Sequence, residues 1–288
     1  MLATAKFPVF PGKEHPNPGM KNTACALGFR PFVADSRAAT CLLRRMAIVF
    51  ALFALSGIAS AELSETNRAR FAAHAQKTLV EAQKRHDQSP TNSAAAWNLA
   101  SAFFDRAEFS TNDTERATLA EQGIEVSRKA LKRDPKSGPL HYYLGLNLGQ
   151  LARTKSFGAL RLLPEMESEF KAAIAADENF SQAAPHRTLG VLYSQAPSWT
   201  VGSRSKAAKH LERAVGLAPN FPENRLALAE AYLEWRDKEG LRRELESLQS
   251  IWVPAKTNFT GADWESQWLD WTGRRRQLEQ DARNMLKP

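Results

Sequence analysis

Asn98-Leu99-Ala100-Ser101-Ala102-Phe103-Phe104 carries the phrase that decides the fold: a leucine, a small residue, and a bulky residue three places beyond the small one. It returns as Leu144-Gly145 with Leu148, Leu189-Gly190 with Tyr193, and Leu228-Ala229 with Tyr232. The small residues stand at 100, 145, 190 and 229, in steps of 45, 45 and 39 residues. Self-similarity at such a period signals a stacked array of like units. A second helical signature follows three of the phrases. Ala130-Leu131 precedes Asp134-Pro135, Ala173-Ile174 precedes Asp177-Glu178, and Ala214-Val215 precedes Ala218-Pro219. Proline cannot continue the helical hydrogen-bond ladder, so each unit reads as helix, loop, helix, turn. The small residues let the two helices of a pair approach closely.

Over residues 90 to 250 these units resemble the tetratricopeptide repeat (TPR) family, whose pattern runs W-x2-L-G-x2-Y, a later Ala and a closing Pro. Asn98 to Phe104 and Ala227-Leu228-Ala229-Glu230-Ala231-Tyr232-Leu233 match the first helix of that unit. Gly123 to Pro135 and Ala207 to Pro219 match the second. The expected fold is all-α: a right-handed solenoid of about four TPR-like helix pairs with an N-terminal leading helix and a C-terminal capping helix. The array is expected over residues 90–251, with the leading helix at 62–89, where Phe71, Ala75, Leu79 and Ala82 keep helical spacing. Ile251 to Gly261, which contains Pro254, reads as a linker. Residues 252–288 then hold linker and capping helix, with Trp264, Trp268, Trp271 and Leu278 as a packing stripe that seals the last pair.

The usual unit is about 34 residues, so these periods are long. In the first unit the extra stretch, Ser110 to Gln122, lacks Gly and Pro and extends the second helix. In the second it includes Phe157 to Pro164, and in the third Gln195 to Ser203. Enlarged connections of this kind are similar to those of the TPR-like T component of TRAP-type transporters, a periplasmic subfamily. That component is commonly a lipoprotein.

Residues 46–61 read Met-Ala-Ile-Val-Phe-Ala-Leu-Phe-Ala-Leu-Ser-Gly-Ile-Ala-Ser-Ala, behind Arg44-Arg45. A basic flank, a short apolar run and an A-x-A exit predict a signal peptide, with Glu62 opening the mature chain. The run is shorter than the ~20 residues a spanning helix needs, so no stable membrane span is expected after cleavage. Glu62 is not the cysteine that lipidation requires. Residues 1–45, with five prolines and no periodicity, read as a disordered arm or as an extension upstream of the true start. The expected location is exported, periplasmic or secreted, in a bacterium.

Seven of the 39 basic and two of the 31 acidic residues precede Glu62, leaving 32 and 29, so the +8 of the full chain falls to +3. The signs interleave, which excludes the clustered basic face of a nucleic-acid binder. Arg274-Arg275-Arg276, the one local basic run, reads as a solvated helix face. Cys25 and Cys41 both precede Glu62, so thiol nucleophiles, disulfides and zinc-thiolate sites are excluded from the mature chain. No H-E-x-x-H, G-x-S-x-G or P-loop occurs. His74, His86, His141, His186 and His210 show no helical i, i+4 His partner, and His141 reads as a surface or packing residue. No enzyme activity, metal or cofactor is expected.

The concave groove of the array remains. Alignment with TPR units implies a lining of Trp97, Ser101, Phe104 and Asp105, then Tyr142, Leu146 and Gln150, then Arg187, Val191 and Gln195, then Glu230, Leu233 and Glu234. Alternatively, Trp97, Phe104 and Leu146 pack against the leading helix or the enlarged connections. Two functions follow. One is a non-catalytic exported scaffold that binds a protein or peptide in the groove. The other is a periplasmic carrier or transporter accessory protein. There Phe157, Leu160, Leu163 and Trp199, with Leu162 and Val201, roof a pocket for a small hydrophobic ligand.

Overall fold

The computed structural model describes residues 65–155 and 158–287. The expected arm and signal peptide at 1–61 lie outside these residues. The described residues form ten α-helices and no strand. They are α1 (Glu65–Gln88), α2 (Ser93–Glu108), α3 (Asp113–Leu131), α4 (Gly138–Arg153), α5 (Leu163–Ala176), α6 (Phe180–Gln195), α7 (Arg204–Leu217), α8 (Pro222–Glu234), α9 (Lys238–Asn258) and α10 (Ala262–Leu286). A short 3-10 turn, Ala159–Arg161, leads into α5.

Local chemistry sets the ends. Asn92, Asn112, Ser203 and Asp237 cap α2, α3, α7 and α9, each accepting a hydrogen bond from the backbone N–H three residues on. Prolines open the first turns of α4, α5 and α8, where their missing N–H costs nothing. α8 ends in a left-handed turn at Arg236 (φ 56°), with Asp237 N–H donating to Tyr232 C=O at 2.9 Å and Arg236 N–H to Leu233 C=O at 3.1 Å. Ser181, Gln182 and Ala183 are also left-handed, at the start of α6 just ahead of Pro185.

The pairs are α2/α3, α4/α5, α6/α7 and α8/α9, and each stacks on the next. The first helices touch in sequence, α2 to α4 to α6 to α8, and form the inner row. α1 packs on α2, and α10 packs on α8 and α9. The small residues of the repeated phrase sit where the two helices of a pair meet. A Cβ on Gly145 would lie 2.5 Å from the Phe170 ring of α5, and one on Gly190 would lie 2.7 Å from Leu211 of α7. Ala100 and Ala229, in the same position of their units, are fully buried. The long periods have three sources: the 19-residue α3, the segment between α4 and α5, and the loop between α6 and α7.

The expected linker at 251–261 is a correction. α9 runs through Pro254 to Asn258, and only three residues separate it from α10. Leu248, Ile251, Trp252 and Ala255 are buried on one face of α9, and that burial outweighs the hydrogen bond the proline removes. The tryptophan stripe is a packing stripe. Trp271 is fully buried, with ring contacts to Phe221 at 5.4 Å and Trp268 at 4.9 Å, and Trp268 meets Trp252 at 5.4 Å. No helix among the described residues is long and apolar enough to cross a membrane.

Candidate functional site

The concave side of the inner row is not an open trough. α1 and α10 come together across it. Arg70 meets Glu265 at 2.7 Å, and His74 Nε2 lies 3.2 Å from Asp263 Oδ1, 189 residues away in sequence. The cavity between the inner row and these two helices has a volume of about 650 Å³. Its apolar wall is built from Phe71 of α1, Phe104 of α2 and Phe109 just past its end, Val191 of α6 and Ala227 of α8. Its polar wall carries Asp105 and Glu108 of α2, Arg187, Ser194 and Gln195 of α6, Glu223 and Glu230 of α8, and Asp270 and Arg274 of α10.

Two charge clusters face each other across this space. On the α8–α10 side, Arg274 holds three carboxylates. Its Nε and Nη2 donate to the two oxygens of Glu230 at 2.8 and 2.9 Å, and its Nη1 to Glu223 at 3.0 Å and Asp270 at 3.1 Å. The Trp271 indole N–H donates to the other Glu223 oxygen at 2.7 Å. Burial favours the protonated acid at both Glu223 and Asp270. At Glu223 the fields of Arg274 and Arg187 win, and the carboxyl stays well below the usual range. At Asp270 burial, with the negative charge of Glu223 and Glu230, holds the carboxyl up. On the α2 side, Arg153 Nη1 donates to both oxygens of Glu108 at 3.1 Å, and Gln150 Nε2 donates to one of them. Asp105 is accessible, and its accessible face looks into the cavity. Partial burial against the cavity wall pushes its carboxyl up to about 7, and the like charge of Glu108 adds to the rise against a Ser101 hydrogen bond.

The aligned groove residues divide into three groups. Phe104, Asp105, Arg187, Val191, Gln195 and Glu230 line the cavity. Tyr142, Leu146 and Gln150 are in the core instead, because α4 is the middle of the inner row and is covered by α2, α3, α5 and α6. Tyr142 hydroxyl pairs with Thr188 Oγ1 at 3.3 Å. Trp97 stacks on Tyr143 at 5.9 Å and meets the edge of Phe180 at 6.2 Å, so it braces the array. Glu234 is exposed at the end of α8, and burial of part of its side chain raises its carboxyl. Of the second proposed pocket, Leu160 packs on the core, Leu163 is buried within it, and Trp199 is 55% exposed. These three do not share a wall, and Phe157 lies outside the described residues.

Residues that the sequence reading did not place in the groove complete the cavity: Phe71, His74, Glu108, Phe109, Glu223, Asp270 and Arg274. The Asp270–Arg274 pair at i, i+4 was a local signal of a held arginine. The expectation of a solvated basic run is corrected on this point. Arg274 is a buried clamp, Arg275 pairs with Glu279 at 2.7 Å and lies over Trp252 at 4.6 Å, and only Arg276 is exposed. His141 joins α4 to α5, with Nδ1 2.6 Å from Glu169 Oε2 and Nε2 3.0 Å from Pro135 C=O. His186 and His210 meet through their Nδ1 atoms at 2.9 Å across α6 and α7, a contact that a same-helix spacing rule does not reach. Burial lowers both, His210 to about 4, so one neutral ring donates to the other. No group of three His, Cys, Asp or Glu side chains among the described residues is placed to hold a metal ion.

Comparison with known proteins agrees with this architecture. A family model described as "TRAP transporter T-component" matches residues 147–257, and one described as "Regulator of microtubule dynamics protein 1-3" matches residues 62–184. Each covers less than half of the chain. No curated protein matches it. Among solved structures the chain is similar to TTC0263, a thermophilic TPR protein of Thermus thermophilus. The identity is 19% and the TM-score 0.54, over 75% of this chain and 100% of that one. It is more distantly similar to MamA (17% identity, TM-score 0.41, 68% of this chain and 97% of that one). For yeast Tom70 the values are 12%, 0.29, 77% and 62%. The TTC0263 likeness shows the TPR fold: the chain is an all-α array of TPR-like helix pairs.

Proposed function

We propose that the chain is a non-catalytic, exported scaffold that takes a segment of a partner protein into the space enclosed by α1, α2, α6, α8 and α10. The cavity itself carries this reading. About 650 Å³ with an aromatic wall on one side and fixed hydrogen-bonding groups on the other suits a few residues of a peptide. The TPR fold supports a protein-interaction role in general. Export is supported by the leader pattern at 46–61.

Peptides selected from a random library against the full chain test the reading by fluorescence polarisation. Val191→Trp fills the cavity and is expected to abolish binding, while Val253→Trp, on the 74% exposed site of α9, leaves it intact. Equal binding by both variants would remove the cavity from the interaction. Export is checked by N-terminal sequencing of the protein from a bacterial envelope fraction, where Glu62 is the expected first residue.

A further inference from the structure

Among the described residues Asp105 is the carboxylate on the cavity wall that has no basic side chain against it. Glu108 has Arg153, the Glu223, Glu230 and Asp270 carboxylates share Arg274, and Asp263 has His74. Among the described residues Asp105 has a hydroxyl partner in Ser101 and a like charge in Glu108, and no ion pair. Arg187 also faces the cavity, but its Nη1 donates to Asn224 Oδ1 at 2.8 Å and its guanidinium lies over Phe221 at 5.4 Å. Asn224 is in turn fixed by three backbone carbonyls, so Arg187 is held away from α2.

Aromatic residues share the cavity wall with Asp105. Phe104 precedes it, Phe109 lies one turn on, and Phe71 of α1 meets Phe109 at 6.3 Å; all three line the cavity. A carboxylate that faces the cavity beside aromatic rings and a like charge is costly in the empty site. A cation that reaches it removes that cost. A free metal ion or small ammonium would leave the rings uncovered, whereas a long side chain lays its methylenes on them and delivers its charge at the tip.

Resting on the partner-segment reading above, we propose that the segment enters with a lysine or arginine side chain, its stem along Phe71, Phe104 and Phe109 and its charge against Asp105. The same geometry disfavours an acidic segment, which would meet Asp105 and Glu108 head on. The rise of the empty Asp105 carboxyl to about 7 agrees with a site completed by an external cation.

The test uses the full chain and fluorescein-labelled Ala-Leu-Lys-Leu-Ala, with norleucine and glutamate versions at the central position, and spermidine as a free cation. The lysine peptide is expected to bind at least about tenfold tighter than the norleucine peptide, the scale of a desolvated charge pair. Asp105→Asn is isosteric, and should bring the two peptides to within about twofold, as for an interaction whose charge has gone. Glu121→Gln, on exposed surface of α3 away from the cavity, should leave the preference unchanged. Thermal melting of each variant confirms that it is folded. Equal binding of lysine and norleucine peptides would overturn the cation assignment while the groove reading stands. Binding of neither peptide, or of spermidine alone, would overturn both.

Discussion

The same substitution made at two glycines should have opposite effects. Gly145→Ala places a Cβ 2.5 Å from Phe170 Cε1 and 2.9 Å from Cδ1 and Cζ. Carbon atoms rest at about 3.5–4.0 Å, so the ring must retreat by about 1 Å. Phe170 has no room to do so: it is fully buried and lies 6.0 Å from the Tyr142 ring. Overpacking of this kind costs about 1–3 kcal/mol, against about 1 kcal/mol gained by replacing glycine inside a helix. The net loss is about 1 kcal/mol. Gly216, in the last turn of α7, has nothing within 4 Å of its would-be Cβ, so Gly216→Ala shows only the gain, about 0.5–1 kcal/mol. Urea titration reads both as shifts of the midpoint at constant m. Phe170→Leu in the Gly145→Ala background should recover part of the loss, a coupling that single substitutions do not predict. If Gly145→Ala stabilises as Gly216→Ala does, the close approach of α4 to α5 is not what the small residue serves.

Asp105 makes the fold pH-sensitive. Its folded pKa, about 7, lies above the ordinary 3.8, so stability falls as pH rises from about 4 to about 7 and stays low above that. A dry site would put the cost near 4 kcal/mol; its access to the cavity reduces this to about 1–2 kcal/mol. Asp105→Asn should therefore be more stable than the parent above pH 7 and equal to it near pH 4, in melts across that range; a constant difference would refute the assignment. Arg274→Met leaves Glu223, Glu230 and Asp270 without their cation and should cost about 3–5 kcal/mol by denaturant titration, more at pH 8 than at pH 5. Arg236→Gly relieves a left-handed residue and should raise stability by about 1 kcal/mol; a loss would mean that the exposed side chain matters more than the backbone. Arg70→Glu faces Glu265 with a like charge and should speed hydrogen exchange in the first turn of α10, while changing global stability by less than about 1 kcal/mol.

The helix pairs were legible because their signals are local and repeated. A leucine and a small residue one position apart report the buried contact of two helices that follow one another in the chain. Asn92, Asn112, Ser203 and Asp237 mark starts by chemistry that acts within three residues. Pro254 misled for the complementary reason. Its local rule is sound, but four buried side chains on the same face of α9 belong to a contact that no nearby residue announces. The cavity was legible only where it borrows from the repeat. Phe104, Asp105, Arg187, Val191, Gln195 and Glu230 occupy repeat positions on first helices, so alignment reached them. The reading of Tyr142, Leu146 and Gln150 by the same alignment failed because a repeat pattern does not say which unit its neighbours cover.

The other half of the wall comes from α1 and α10, which lie outside the repeat and meet only in space. The contacts that join them across the mouth, Arg70 to Glu265 and His74 to Asp263, are exposed, with side chains about half accessible or more. Exposed pairs of this kind contribute about 0–1 kcal/mol each. The anchoring of each terminal helix is far stronger: α10 is held by Trp271, Leu278 and Ala282 in the core and by the Arg274 clamp, α1 by Phe71, Ala75, Leu79 and Ala82. The contact between the two terminal helices is therefore weaker than the anchoring of either. Phe71 on one side of that contact and Asp270 on the other both belong to the cavity wall, one to its apolar part and one to its charged part.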